Sequence, residues 1–229
     1  MNIKSAIIIG KNILKDQYIQ TAQLDTEILM AKAIDEDRKY IILNDQKNLK
    51  NTNLKYFKKL IKERASRKPI AYLVEQKFFW NSEFTVTNDT LIPRPDTELL
   101  VENILKLTKN KNKMNILDIG VGSGCVLLSI LKEKKNFYGT GIDISKKCIN
   151  ISKKNAIKLK LDSRVRFYKS DVDKFSLGKY DLIVSNPPYI KNYNLKYLER
   201  DVANFEPKLA LDGGLDGLSE IRKVIRKSS

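Results

Sequence analysis

Hydrophobic residues in the first third of the chain recur at helical spacing. One apolar stripe consists of Leu24, Ile28 and Ala31, and a second consists of Leu54, Phe57, Leu60 and Ile61. Spacings of three and four residues place side chains on the same face of an α-helix. We therefore predict a small helical domain over residues 1–73, with both stripes facing its interior.

The pattern changes over residues 74–86, where large apolar residues crowd around the polar pair Asn81-Ser82. This arrangement predicts a β-hairpin. Residues 91–98 follow and contain two prolines within three positions, which excludes an α-helix there and stiffens the chain. We predict that residues 74–93 form a hairpin and connector between two domains.

Strand and helix signals alternate after the connector. Strands are predicted at 114–119, 137–143, 165–169 and 180–185, and helices at 125–131 and 146–159. This alternation is typical of βαβ units, in which a parallel sheet carries helices on both faces. Residues 94–229 are thus predicted to form a Rossmann-like α/β domain, whose ligands bind at the carboxyl ends of the strands.

Composition restricts the chemistry that the chain can perform. It has 229 residues, no histidine and two cysteines, which excludes Ser-His and Cys-His catalysis and argues against a metal site. Asp, Glu, Asn, Tyr, the backbone or a cofactor must then supply the chemistry. Two cysteines form no disulfide framework, and no apolar window approaches the roughly 18 residues of a membrane span. We expect a cytoplasmic protein with no membrane partner.

The formal net charge of +16 has two interpretations. A strong positive charge attracts nucleic acid, or a nucleic-acid-rich assembly such as the ribosome, without sequence preference. Alternatively, the charge reflects compositional drift, because the lysines are scattered along the chain rather than gathered in one stripe. The sequence leaves both interpretations open.

A glycine-rich turn follows the first strand of the α/β domain, with the sequence Gly120-Val121-Gly122-Ser123-Gly124. Glycines permit positive φ angles and let a ligand approach the main chain. A dinucleotide fingerprint needs a third glycine where this chain has Cys125. Asp118, two residues before the turn, would repel a pyrophosphate but suits a positively charged amino group. We therefore predict a site for S-adenosyl-L-methionine.

Two further acids follow strands of the predicted sheet. Asp143 ends the second strand, where a carboxylate can accept hydrogen bonds from both ribose hydroxyls. Asp171 follows the third strand and is predicted to reach the adenine edge, with Val172 packing against the ring. The alternative for each acid is a helix N-cap or a solvated loop residue.

The tetrapeptide Asn186-Pro187-Pro188-Tyr189 follows the fourth predicted strand. Two consecutive prolines are unusual directly after a core strand, because neither has a backbone N–H to donate. Their rigid rings can instead hold the neighbouring groups in place. The side-chain oxygen of Asn186 and the carbonyl of Pro187 can each accept one N–H of a planar –NH₂ group, while Tyr189 offers a flat face for stacking. This pattern predicts nitrogen methylation by positioning and electrostatics, and the alternative is a simple strand-ending turn.

With these motifs in this order, the chain resembles the release-factor glutamine methyltransferases (the HemK/PrmC family). The resemblance rests on the connector at 92–98, the turn at 118–124, the tetrapeptide, and the segments 205–207 and 210–218. It implies a class I methyltransferase fold with an N-terminal substrate-binding domain, and N5-methylation of the Gly-Gly-Gln glutamine of class-I peptide-chain release factors. It also implies cofactor contacts along the turn and at Asp143, Val172 and Asn186, and glutamine contacts from Asn186 to Tyr189.

The sequence departs from this family at two places. Glu75 stands where such proteins usually carry glycine, and the chain ends at Ser229 where they continue into further strands. We therefore expect a C-terminally truncated domain whose fourth strand lies at an exposed sheet edge.

Two rival functions remain open on the sequence alone. One is an N6-adenine or N2-guanine nucleic-acid methyltransferase, because such enzymes share the tetrapeptide and the chain is strongly basic. The other is an inactive truncated relative.

Overall fold

Five helices make up the first unit, Met1–Glu75, of the computed structural model, which describes residues 1–228. They are α1 (Ile3–Asp16), α2 (Ala22–Ile34), α3 (Arg38–Leu43), α4 (Asn51–Ala65) and α5 (Ile70–Val74). Helix α1 begins after Asn2, whose side chain accepts a hydrogen bond from the backbone N–H of Ser5 at 2.8 Å. The predicted helical N-terminal region is confirmed.

The apolar stripe predicted on α4 is confirmed, but the one predicted on α2 is wrong. Leu24 is 41% exposed, and the buried face of α2 instead carries Asp25, Thr26, Leu29 and Met30. Asp25 is buried because it forms an ion pair with Arg64 of α4 at 2.7 Å. Because two of the buried positions are polar, the apolar residues of α2 do not mark its buried face by their spacing. The sequence pattern therefore predicted the wrong face of this helix.

The second unit begins at Gln76 with the predicted hairpin. Its strands are β1 (Gln76–Phe79) and β2 (Ser82–Thr85), which pair antiparallel. The turn lies at Trp80-Asn81, so that Ser82 of the polar pair already belongs to β2, and Trp80 has a φ of 50°. A short 3₁₀ turn (Pro95–Thr97) and α6 (Glu98–Leu107) follow the connector. The three-part division with residues 74–93 as a separate connector stays a prediction.

The alternation of strands and helices predicted for the second unit is confirmed. The elements are β3 (Asn115–Ile119), α7 (Cys125–Glu133), β4 (Tyr138–Asp143), α8 (Lys146–Lys158), β5 (Val165–Lys169) and β6 (Leu182–Ser185). All neighbouring pairs are parallel, in the order β5-β4-β3-β6. Within the described chain β6 pairs with β3 alone, so the strand that leads into the tetrapeptide lies at a sheet edge, as predicted.

The two faces of the sheet are covered differently. Helices α6, α7 and α8 and the hairpin pack on one face around residues such as Ile116 and Val184. The other face is covered by a smaller cluster that includes Val172 and Phe175. Residues 170–181 cross from β5 to β6 without an α-helix, so the expectation of helices on both faces is met only in part.

The chain continues beyond β6 through mostly irregular structure. A 3₁₀ segment (Asn192–Tyr197), α9 (Arg200–Phe205) and α10 (Ser219–Ser228) follow in order. Val224 of α10 packs against the smaller cluster and is the helical contribution to the second face. Among residues 1–228, no helix combines the length and apolar character that a membrane crossing requires.

Candidate active site

A cleft of 590 Å³ opens at the carboxyl ends of the four parallel strands, as expected for ligand sites of such sheets. It brings together most of the residues predicted from the sequence, namely Asp118, Gly120, Val121, Gly122, Ser123, Asp143, Asp171, Val172, Asn186, Pro187 and Pro188. Gly124 and Tyr189 lie outside its lining. The predicted cofactor turn and the predicted catalytic tetrapeptide therefore share one cavity.

The glycine-rich turn faces this cleft through its first residues. Gly120 has a φ of 76°, and no atom lies within 4 Å of the position that a Cβ would occupy there. At Gly124, by contrast, a Cβ would come within 3.0 Å of Leu128 Cδ1, so this glycine packs against α7. The backbone N–H groups of Gly120 and Val121 both donate to the carbonyl of Ile142 at 2.9 Å, which fixes the turn on β4.

Asp118 is a buried carboxyl group at the base of the cleft. Its residue is 3% exposed, and burial together with the nearby charge of Asp143 raises its pKa to about 7. Such a group is only partly ionised at neutral pH, and a cation in the cleft would favour its charged form. The site therefore has an electrostatic preference for a positively charged ligand group.

Asp143 has a structural contact that the sequence did not reveal. Its Oδ2 accepts from the backbone N–H of Gly122 at 3.0 Å, and its Oδ1 accepts from that of Ser145 at 2.8 Å. Burial raises the pKa of Asp143, and these two hydrogen bonds oppose the rise. Each carboxylate oxygen has a second lone pair, so the group can close the turn and still accept hydroxyl groups from a ligand.

Asp171 and Val172 enter the cleft from the loop after β5. Oδ1 of Asp171 accepts from the backbone N–H of Asp173 at 2.9 Å, which stabilises a tight turn. Val172 is buried and lines the cleft with its apolar side chain. The pair offers an acceptor beside an apolar surface, which is the environment predicted for an aromatic heterocycle.

The tetrapeptide follows β6 directly, and its first three residues line the cleft. Asn186 is exposed, and its Nδ2 donates to Oγ1 of Thr97 at 3.4 Å. Pro187 and Pro188 are half-buried in the lining, whereas Tyr189 is 65% exposed. The amide of Asn186 is therefore accessible to a second molecule.

Gly213 packs closely against the backbone of the tetrapeptide. A Cβ at Gly213 would lie 2.7 Å from the Cα of Tyr189 and 2.9 Å from the carbonyl oxygen of Pro188, so a side chain cannot be accommodated without a shift of the backbone. The N–H of Gly213 donates to the carbonyl of Ile190 at 2.8 Å. The segment after the tetrapeptide thus fixes its backbone, a role that the sequence pattern did not assign.

The connector also contributes to the cleft, which the sequence analysis missed. Ile92, Pro93, Arg94 and Thr97 all belong to the lining. Arg94 forms an ion pair with the buried Glu206, which also accepts from the backbone N–H of Ile92 at 3.3 Å. Both charged residues stand in segments that support the family resemblance, but 112 positions separate them and no local pattern indicates their pairing.

Both cysteines lie along the same cleft. Burial raises the pKa of Cys125 and that of Cys148 to about 12, and Sγ of Cys148 donates to the carbonyl of Asp89 at 3.1 Å. These thiols remain protonated at neutral pH and are poor nucleophiles. Within residues 1–228, no three side chains of His, Cys, Asp or Glu converge in a way that could hold a metal ion.

Two models of known protein families match this chain, one in the helical unit and one in the α/β unit. The family model described as "Methyltransferase small domain" matches residues 95–215, and the model described as "PrmC N-terminal domain" matches residues 5–74. The first match contains the glycine-rich turn and the tetrapeptide. The second covers nearly all of the helical unit.

Two similar proteins that match this chain over its full length have the same name. A "Release factor glutamine methyltransferase" from Buchnera aphidicola subsp. Acyrthosiphon pisum is 38% identical over 228 residues, which are 100% of this chain and 80% of that protein. One from Clostridium acetobutylicum is 36% identical and covers 100% of this chain and 81% of its own length. Among solved structures, the catalytic domain of hMettl16 in complex with MAT2A 3′UTR hairpin 6 has a TM-score of 0.53. At 18% identity over 63% of this chain and 55% of that one, it shows a shared fold alone.

Proposed function

Because the chain belongs to the family of release factor glutamine methyltransferases, we propose that it methylates the side-chain nitrogen of the Gly-Gly-Gln glutamine in class-I peptide-chain release factors. The methyl donor in this proposal is S-adenosyl-L-methionine. The observation that carries the proposal is the shared cleft. It combines a buried acid suited to a cationic ligand with two oxygen acceptors, from Asn186 and Pro187, suited to an –NH₂ group.

The residues of the cleft fit S-adenosyl-L-methionine. Asp118 provides the negative charge for the amino group of the methionine part, and the open space beside Gly120 lets that part lie against the backbone. Asp143 retains lone pairs for the ribose hydroxyls, while Asp171 and Val172 supply the polar and apolar contacts for adenine. When bound, S-adenosyl-L-methionine supplies an electrophilic methyl group on a positively charged sulfur.

The tetrapeptide prepares the amide nitrogen of glutamine for this methyl group. Such a nitrogen is a weak nucleophile, because its lone pair is delocalised into the carbonyl. Oδ1 of Asn186 and the carbonyl oxygen of Pro187 each accept one of its N–H groups, which orients the nitrogen and increases its electron density. Tyr189 is exposed outside the cleft lining, so its ring meets a glutamine that enters from solvent.

The remaining parts of the chain receive roles in recognition. We assign residues 1–73 to binding of the release factor and residues 74–93 to the connection with residues 94–229. The charge of +16 would add nonspecific attraction to nucleic acid during this encounter, with an affinity that falls as the salt concentration rises.

The proposal is tested by methyl transfer to defined acceptors. The purified chain is incubated with methyl-labelled S-adenosyl-L-methionine and either unmodified release factor, a release factor whose Gly-Gly-Gln glutamine is replaced by glutamate, or total RNA. We expect label on the unmodified factor alone. Asn186→Ala should abolish it, whereas Asn194→Ala, which removes an exposed asparagine outside the cleft lining, should retain it.

The other outcomes each overturn part of the assignment. Label on RNA would replace the release factor by a nucleic-acid substrate. Label on neither acceptor, under conditions in which a full-length family member methylates the factor, would show that this chain does not perform the reaction.

A further inference from the structure

A hydroxyl group of the connector, that of Thr97, contacts the side chain of the first residue of the tetrapeptide. Thr97 and Asn186 both line the cleft, and Nδ2 of Asn186 donates to Oγ1 of Thr97 at 3.4 Å. Their positions are 89 residues apart in sequence. Oδ1 of Asn186 takes no part in this contact.

The orientation of the Asn186 amide decides whether it can bind an –NH₂ group. Its oxygen accepts hydrogen bonds, but its nitrogen only donates them. If the amide were turned by half a revolution, its own N–H groups would face those of the incoming amide. An exposed asparagine without a fixed partner samples a broad range of this torsion angle.

We propose that Thr97 is a positioning residue: while its Oγ1 accepts from Nδ2 of Asn186, the side-chain amide is held in place and Oδ1 stays free to accept from the nitrogen to be methylated. This inference rests on the proposed function. Thr97 does not contact the reacting atoms in this scheme and acts only through Asn186.

Thr97 is itself held by a series of contacts that ends at a buried carboxylate. Its backbone N–H donates to the carbonyl of Arg94 at 3.0 Å, within a turn that begins at Pro95. Glu206 fixes Arg94 through their ion pair and fixes the connector again through the N–H of Ile92. The segment after the tetrapeptide thereby positions the connector, and the connector positions the tetrapeptide.

The test compares Thr97→Val, which removes the hydroxyl but keeps the shape, with Thr97→Ser, which keeps the hydroxyl. Thr85→Val is the matched control, because Thr85 is a half-buried threonine of β2 outside the cleft lining. For each variant we measure kcat and KM with release factor, the Kd for S-adenosyl-L-methionine, and the NMR signal of the Asn186 side-chain amide. That signal is assigned by its loss in Asn186→Ala.

We expect Thr97→Val to lower kcat several-fold, and by no more than about tenfold, because the hydrogen bond that it removes is long at 3.4 Å. The Kd for S-adenosyl-L-methionine should stay within about twofold of wild type, because in this scheme Thr97 acts through Asn186 on the acceptor nitrogen and not on the methyl donor. The Asn186 amide signal should move in Thr97→Val and return in Thr97→Ser together with kcat. Thr85→Val should leave all of these quantities unchanged.

The inference is overturned if Thr97→Val keeps the wild-type kcat, if Thr97→Ser is as impaired as Thr97→Val, or if the amide signal does not move. Failure of the proposed function is a separate result. In that case the wild-type chain methylates no release factor, while the amide signal still reports whether Thr97 holds Asn186.

Discussion

Replacing Asp118 by asparagine should make the protein more stable while weakening its binding of a cationic ligand. The pKa of Asp118 is about 7 in the folded protein, against an ordinary value of 3.8, because the carboxylate is buried beside Asp143. The folded state therefore holds the proton more tightly than the unfolded state. This difference corresponds to about 4 kcal/mol once the group is ionised in both states.

The pH dependence follows from the sign of this difference. Well below the ordinary pKa of 3.8 the carboxyl group is protonated in both states, and its burial carries no charge penalty. As the pH rises toward 7, the unfolded chain loses the proton first and the folded state becomes progressively less favourable. Asparagine carries no charge, so Asp118→Asn should gain about 1 to 2 kcal/mol over wild type at pH 5 and about 4 kcal/mol at pH 8.

Urea unfolding at pH 5 and pH 8 measures this gain directly. The control is Asp162→Asn, which changes an exposed carboxylate in the same unit and should show no such trend. Titration with S-adenosyl-L-methionine completes the experiment. The affinity of wild type should fall as the pH drops below 7, because the ligand binds the ionised form, and Asp118→Asn should bind weakly at every pH. A stability difference that is equal at pH 5 and pH 8 would refute the electrostatic role of Asp118.

Three further predictions concern the fold and the thiols. Glu75 follows the last residue of α5 and has a φ of 61°, a conformation that glycine adopts without strain, so Glu75→Gly should raise the unfolding free energy by about 1 kcal/mol. Glu102→Gly, inside α6, should lower the unfolding free energy by a similar amount, because glycine is a poor helix former. Asp25→Ala leaves the partner guanidinium buried and should lower the unfolding free energy by about 3 kcal/mol, against less than about 0.5 kcal/mol for Asp45→Ala in an exposed ion pair. Iodoacetamide at pH 8 should alkylate both cysteines about a thousandfold more slowly in the folded than in the unfolded chain, because pKa values of about 12 suppress the thiolate, and equal rates would contradict this assignment.

The features that were predictable from the sequence are those encoded by neighbouring residues. Short apolar runs separated by turn residues defined β3 to β6, and the glycine spacing after Asp118 located the turn of the cleft. The tetrapeptide was recognisable because consecutive prolines after a buried strand have little structural use. Glu75 was noted only because the resembled family usually has glycine at this position, and its backbone has the left-handed conformation that glycine adopts most easily.

The features that escaped prediction depend on partners that are distant in sequence. The buried side of α2 was misassigned because the ion pair between Asp25 and Arg64 spans 39 positions. The same limitation applies to Arg94 and Glu206, whose pairing brings the connector to the cleft. Burial of a charged residue reflects its partner more than its own polarity, and a single sequence does not identify that partner.

Some residues at the cleft or next to it are ones that a stability-optimised sequence would avoid. Asp118 is a carboxyl group whose ionisation opposes folding, and Glu206 is a buried carboxylate that needs Arg94. Asn186 has an exposed side-chain amide that is held by one long hydrogen bond. Many other polar residues would suit such a surface position equally well. Local rules of folding are commonly violated where a protein performs its chemistry. Asp118 and Asn186 line the cleft and Glu206 supports it through Arg94, although these residues span positions 118 to 206. A common functional demand explains this convergence better than independent structural demands do.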